Sequence, residues 1–178
     1  MFNHLLRPGF PARPVYRSKQ QEVTTMSLTQ QIDAENAPNY EDMEKQFAVK
    51  AVHHMTVYWG ILEKMPGSVL RLTRMDDEIL EHFKKDFPDF DPAQTIDEDK
   101  MKSKEGKEQW RNFVNQYEKK VEDFNFGTML RKNPQTEYGE KETIFAVRMQ
   151  FYAIEIARNR AGLNDWIYEQ AQNAKKAS

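Results

Sequence analysis

Between residues 40 and 65 apolar side chains recur at spacings of three and four: Phe47, Ala51, Met55, Tyr58, Leu62 and Met65. That period predicts one long amphipathic helix with a single apolar stripe. Asn39 can cap its start, with Asp42 at the third position, and Pro66-Gly67 stops it. A second helix is announced by Thr73 and Asp76, spaced as in a capping box, and its stripe of Met75, Ile79, Phe83 and Phe87 runs to Pro88. A third carries Trp110, Phe113, Val114, Tyr117, Val121 and Phe124 behind a charged approach from Lys100 to Lys107. The intervening stretch DFPDFDPAQTIDEDK reads as an acidic, proline-punctuated, solvated loop. It lacks the glycine that a calcium-binding loop needs for its sharp turn.

Residues 144–161, IFAVRMQFYAIEIARNRA, are apolar almost all the way round and predict the central buried helix, over about 145–161. Arg148, Tyr152, Glu155 and Asn159 share one stripe of it, while Phe145, Met149, Phe151, Ile154 and Ile156 cover most of the rest. Charges at such a centre need partners, because desolvating an unpaired ion is expensive even after relaxation. Glu155 and Arg158, three residues apart, form the candidate structural ion pair. Just upstream, FNFGTMLRKN breaks the helical period at Gly127 and can pair with ETIFA across NPQTEYGEK, which predicts a short β-hairpin near 124–146. Gly162 is a candidate left-handed C-cap, and Asn164 a cap for a last helix bearing Trp166, Ile167 and Ala171. The expected fold is mainly α: one compact helical domain over 39–171 around the central helix, ending in a frayed C-terminus at 172–178.

Length and charge narrow the function classes. The 178 residues suffice for one full domain and not for two. With 26 Lys+Arg against 28 Asp+Glu the net charge is -2, so no global basic field is available for nucleic acid or an anionic membrane. The absence of cysteine excludes disulfides, thiolate metal sites and thiol catalysis. No apolar run reaches the roughly 20 residues that span a bilayer, so a soluble protein is expected; the accompanying expectations are a cytoplasmic location and a monomer. Residues 1–38 are expected to be a disordered tail. Arg7, Arg13, Arg17 and Lys19 precede the first acid, Glu22, as in a mitochondrial transit peptide, which makes a mitochondrial location the alternative. Pro8, Pro11 and Pro14 oppose the long amphipathic helix of such a peptide, and Met26 offers a second, ordinary-looking start.

Catalytic signatures are missing. The seven glycines are never closer than seven positions apart, so no phosphate-cradling loop exists. His53 and His54 diverge by about 100° on a helix and cannot share a metal from one turn. His82 lies one turn after Glu78, as in a surface contact. The carboxylate pairs Asp76-Asp77 and Glu122-Asp123 sit where acids complement a helix dipole or solvate a face. No catalytic residue, metal or cofactor is expected.

Five collinear blocks covering about residues 46–168 carry a resemblance: AVKAVHHMTVYWGILEKM, LRLTRMDDEILEHFKKDFP, KEQWRNFV, VEDFNFGTMLR and TIFAVRMQFYAIEIARNRAGLND. Together they resemble the PBDC-type family, labelled polysaccharide biosynthesis domain-containing proteins. Fungal members of that family are similar to a dedicated chaperone that acts at the ribosome on nascent translation elongation factor 1-alpha. The resemblance therefore implies a non-enzymatic protein that engages the factor's GTP-binding domain and works with the nascent polypeptide-associated complex. A chaperone for one client needs apolar anchors ringed by charges that penalise wrong partners. The blocks offer Leu70, Leu72 and Phe126 as candidate client anchors, beside Arg71, Arg74, Asp76, Asp77, Arg131, Arg158 and Arg160. A rival implication is enzymatic. The label is shared with plant glucuronoxylan methyltransferases, in which a Gly-Arg-Met stretch leads into a helix similar to VRMQFYAIEIARNR, and these act through S-adenosylmethionine. Val147 stands here in place of that glycine, and no glycine-rich cofactor loop precedes it. A passive protein-interaction scaffold is the third reading.

Overall fold

The computed structural model describes residues 37–178, with side chains from residue 44 onward. The elements are α1 (Ala37–Lys64), a 3-10 turn (Gly67–Val69), α2 (Asp76–Asp86), α3 (Glu98–Lys102), α4 (Lys104–Asn115), β1 (Gly127–Arg131), β2 (Thr143–Val147), α5 (Arg148–Arg160) and α6 (Asp165–Ala177). The fold is mainly helical, with one two-stranded antiparallel sheet. Helix α5 lies at its centre, packed against α2, α4, the 3-10 turn and both strands. Met149, Phe151, Ala153, Ile154 and Ile156 are all at most 1% exposed, as an all-round apolar helix requires.

The central helix begins later than its apolar run suggests. Residues 144–147 are strand β2, paired with β1 so that Met129 faces Phe145 and Leu130 faces Ile144. Burial there alternates with the period of a strand: Ile144 and Ala146 point inward while Phe145 is exposed. The run is β-branched and aromatic, and its pairing with β1 overrides the apolar continuity with α5. The Val147 N–H donates to Gln150 Oε1, which closes the strand directly into the helix.

Other boundaries shift for local reasons. Helix α1 starts at Ala37, so Asn39 lies inside its first turn and is not its cap, and the tail expected over 1–38 lies, through residue 36, outside the described residues. Helix α6 continues to Ala177, past the predicted domain end at 171 and through the stretch expected to fray. The predicted third helix is divided, because Ser103 ends α3 and caps α4 by accepting the Gly106 N–H at 3.0 Å. Beyond Asn115 it gives way to turns, in which Val121 and Phe124 still pack on the core. The acidic stretch after α2 is more than a solvated loop. Phe87, Phe90 and Ile96 pack against the core, and the Ile96 N–H donates to the Lys132 carbonyl at 2.9 Å. His82 pairs with Asp86 at 2.9 Å and with the Tyr117 hydroxyl at 2.8 Å, not with Glu78. Gly162, at φ 70, ends α5 in the left-handed conformation predicted for it.

Candidate functional site

The polar residues of α5 feed two separate clusters. The first is a sealed knot. Glu155 Oε1 accepts from Arg158 Nη1 at 2.8 Å, while Oε2 accepts from the Tyr58 hydroxyl at 2.8 Å and Asn164 Nδ2 at 2.9 Å. Arg131 Nη2 lies 3.5 Å from the same Oε2 and donates to Asn164 Oδ1 at 2.5 Å. Asn159 joins Tyr58 to Asn164 by further hydrogen bonds of 3.2 and 2.7 Å. These six side chains come from α1, β1, α5 and the turn before α6, and none is more than 3% exposed. The remaining donors of the two guanidiniums reach backbone carbonyls of Arg131, Lys132, Pro134 and Thr136. Among the described residues the Nε–H groups of Arg131 and Arg158 have no partner. Gly67 belongs to the same packing, since a Cβ there would collide with Asn159 Oδ1.

The electrostatics follow from burial. Desolvation alone would raise the pKa of Glu155, but Arg158 and Arg131 outweigh it and hold the carboxyl below its usual range. Burial, reinforced by the Glu155 charge, pushes the Tyr58 phenol well above its usual value. The knot therefore holds two cations and one anion, all closed to solvent. No substrate can reach it, and its role is to tie four segments together. Three of the predicted surface residues are corrected by these positions. Arg131 and Arg158 are 0% exposed and belong to the knot, and Asp76 is 1% exposed. The Asp76 carboxylate accepts the Leu72 N–H, the Thr73 N–H and the Thr73 hydroxyl, fastening the turn before α2 from the first helical position rather than facing a client. Asn164 stands at the N-cap of α6 but spends its side chain in the knot.

The second cluster lies at the start of α5. Arg148 and Tyr152, one turn apart, both donate to Asp123 Oδ2, at 2.7 and 2.9 Å. The single stripe expected to join Arg148 to Glu155 is thus two sites. Nearby, His54 Nδ1 and the Thr128 hydroxyl share a 2.5 Å hydrogen bond, with Phe151 edge-on to the imidazole. Burial, then the Arg148 charge, lowers the His54 pKa to about 4 against the opposing pull of Asp123. In the unfolded chain the group titrates near 6.5, so between these values the unfolded state binds more protons. The stability contributed by His54 is complete above about pH 6.5 and is lost as pH falls toward about 4. An NMR titration should find the His54 ring with a midpoint near pH 4, and His54→Gln should flatten the fall of melting temperature between pH 6.5 and 4. A midpoint between 6 and 7 would contradict this.

The other solvent-facing members of the predicted set lie in the turn before α2, in its first turn and at the end of α5. Leu70 and Leu72 are half-buried beside exposed Arg71 and Arg74, in the turn leading to α2. Asp77, in the first turn of α2, pairs with Arg160, the last residue of α5, at 2.7 Å. Beside this pair a groove of about 310 Å³ opens between α2, the end of α5 and the segment after α2. It is lined by buried Phe83 and Ala157, by half-buried Leu80, Phe87 and Phe90, and by exposed Lys84 and Arg160. Periodicity marks Phe83 and Phe87 only as the apolar stripe of a helix, and Phe90 falls in the stretch expected to be a solvated loop, because a groove depends on what fails to cover such residues. Phe126 stands elsewhere. Its carbonyl accepts from the N–H of Arg148, at the opposite end of α5, about 18 Å of helix from Arg160. It is exposed there, as are Phe47 and Phe145, whose rings pack 5.2 Å apart.

Among the described residues, no group of three or more His, Asp or Glu could hold a metal ion, and no helix is long and apolar enough to cross a membrane. Comparison with known proteins gives the chain its relatives. The model of the family described as PBDC1 protein matches residues 43–169. The Protein PBDC1 homolog of Schizosaccharomyces pombe is 56% identical over 143 residues, covering 79% of this chain and 97% of that protein. Its Saccharomyces cerevisiae counterpart is 53% identical over 141 residues, covering 78% and 97%. Human Protein PBDC1 is 38% identical over 152 residues, which are 85% of this chain and 65% of the human protein. A solution NMR structure of a Saccharomyces cerevisiae protein superposes with a TM-score of 0.69 at 54% identity, covering 78% of this chain and 97% of that one. The family match and these likenesses agree: the chain belongs to the PBDC1 family.

Proposed function

We propose that this protein is a dedicated chaperone, acting in the cytoplasm at the ribosome, that binds the nascent GTP-binding domain of translation elongation factor 1-alpha and assists its folding. It would work beside the nascent polypeptide-associated complex. The reading rests on the family resemblance. The observation that supports it over an enzyme is where the chemistry sits: the polar knot is closed to solvent, whereas the exposed chemistry is an apolar groove edged by charge. Grooves of that kind suit recognition of one partner, with apolar anchors for affinity and charges for discrimination. The names of the family and its relatives state no enzymatic activity. At the position where a methyltransferase-like reading would want a glycine turn, Val147 ends a strand and Arg148 is committed to Asp123. Within this reading Leu70, Arg71, Leu72, Arg74, Asp77 and Arg160 form the client surface, and Phe126 lies outside it.

The test is capture from a translating lysate programmed with truncated messages. The tagged protein should enrich ribosome-bound chains of the elongation factor once the GTP-binding domain has emerged. Chains of an unrelated domain of equal length should stay at background. Equal recovery of both would overturn the proposal.

A further inference from the structure

We propose that the groove between α2 and the end of α5 receives an aliphatic or aromatic side chain of the client together with an adjacent carboxylate, and that Asp77 occupies the carboxylate's position in the free protein. This rests on the functional reading above and names the kind of client segment that reading requires. The groove is apolar at its base, and its volume of about 310 Å³ fits one or two side chains. That is at the lower limit for a small-molecule pocket, which favours a protein anchor over a cofactor.

Charge selects the rest of the occupant. The charged residues lining the groove are Lys84 and Arg160, with no carboxylate among them. Lys84 is exposed and has no ion-pair partner among the described residues. A carboxylate beside the anchor side chain meets complementary charge at Lys84 and Arg160, where a lysine is repelled, while the segment that supplies Phe87, Phe90 and Pro92 also carries Asp89 and Asp91 and leaves these two cations as the place for the acid. Among the described residues Arg160 is engaged only by Asp77, and the side chains of that pair are 41% and 71% exposed. Ion pairs in such contact with water contribute little and are screened by salt. A client carboxylate can therefore take Arg160 from Asp77 at small cost. Asp77 keeps the guanidinium at the groove edge until then, so that within the client surface it acts as an internal competitor for Arg160.

The competitor role has an unusual sign. Removing the Asp77 charge should tighten binding, whereas reversing the basic edge should weaken it. The experiment measures affinity of the nucleotide-free GTP-binding domain of elongation factor 1-alpha, immobilised on a biosensor, for the full chain and three variants. Asp77→Asn is expected to bind roughly two- to fivefold more tightly, the scale of an exposed ion pair. The double variant Lys84→Glu with Arg160→Glu is expected to bind at least about tenfold more weakly and to remove most of the salt dependence. Ala161→Phe, which fills the groove from an exposed position, is expected to weaken binding with an unchanged melting temperature. Both weakening variants are checked by thermal melts, and Ala161→Phe carries the test if charge reversal compromises folding. If the unaltered chain binds and Ala161→Phe binds equally well, or Asp77→Asn binds more weakly, the groove assignment is overturned and the functional reading stands. If the unaltered chain does not bind the domain at all, both fall.

Discussion

Glu155→Gln is expected to destabilise the protein by about 3–5 kcal/mol, the cost of removing one partner from a buried ion pair. Glutamine has nearly the shape of glutamate, so the loss reports charge and hydrogen bonding rather than a cavity. Among the described residues Glu155 is the only carboxylate paired with Arg131 and Arg158, and all three side chains are 0% exposed. Without it two guanidinium charges face each other across a site that water cannot enter. Four backbone carbonyls still accept from them, but a carbonyl dipole does not neutralise an ion. A stability of about 5–15 kcal/mol is typical of a domain, so the variant gives up at least about a fifth of it, and nearly all of it in a domain at the low end of that range. Urea unfolding, read as a midpoint shift at constant slope, measures the effect.

The same residue shapes the acid limb. Its pKa is depressed in the folded protein, so its contribution is present above the unfolded value near 4.3 and is lost as pH falls through the lower folded value. Glu155→Gln should lack that part of the acid transition. A loss below about 1 kcal/mol would show that the backbone carbonyls alone satisfy both arginines.

How much of this was legible in the sequence depends on whether the signal is local. The long stripe of α1 and the stripe from Ile79 to Phe87 follow the 3.6-residue period, and helices marked in that way are where they were expected. The hairpin was legible from its glycine break and β-branched run. The junction of β2 with α5 was not, because strand and helix there are equally apolar and only the partner strand separates them. Arg131 and Asp76 were read as surface charges for a sound general reason, since such residues are seldom fully buried without partners. Their partners were invisible from nearby positions. Arg131 meets Asn164, 33 residues away, and Tyr58 meets Glu155, 97 residues away. Glu155 with Arg158 was legible because it spans one helical turn. The groove could not have been read at all, since periodicity records which residues are apolar and not which of them a neighbouring segment leaves uncovered.

GTP is expected to abolish binding of the client domain. A chaperone that releases its client on maturation must prefer the nascent or nucleotide-free form, because equal affinity for two states shifts neither. Moving the client from about 99% bound to about 99% free requires roughly 10⁴-fold discrimination between them. Nucleotide with magnesium can supply it by ordering the loops of a GTPase domain and so removing the surface that a chaperone recognises. The decisive measurement is a pull-down of the isolated GTP-binding domain of elongation factor 1-alpha by this protein, with the domain stripped of nucleotide and then given GTP and magnesium. The proposed function predicts strong recovery of the stripped domain and recovery at background once GTP is added. Equal recovery in the two conditions would contradict it.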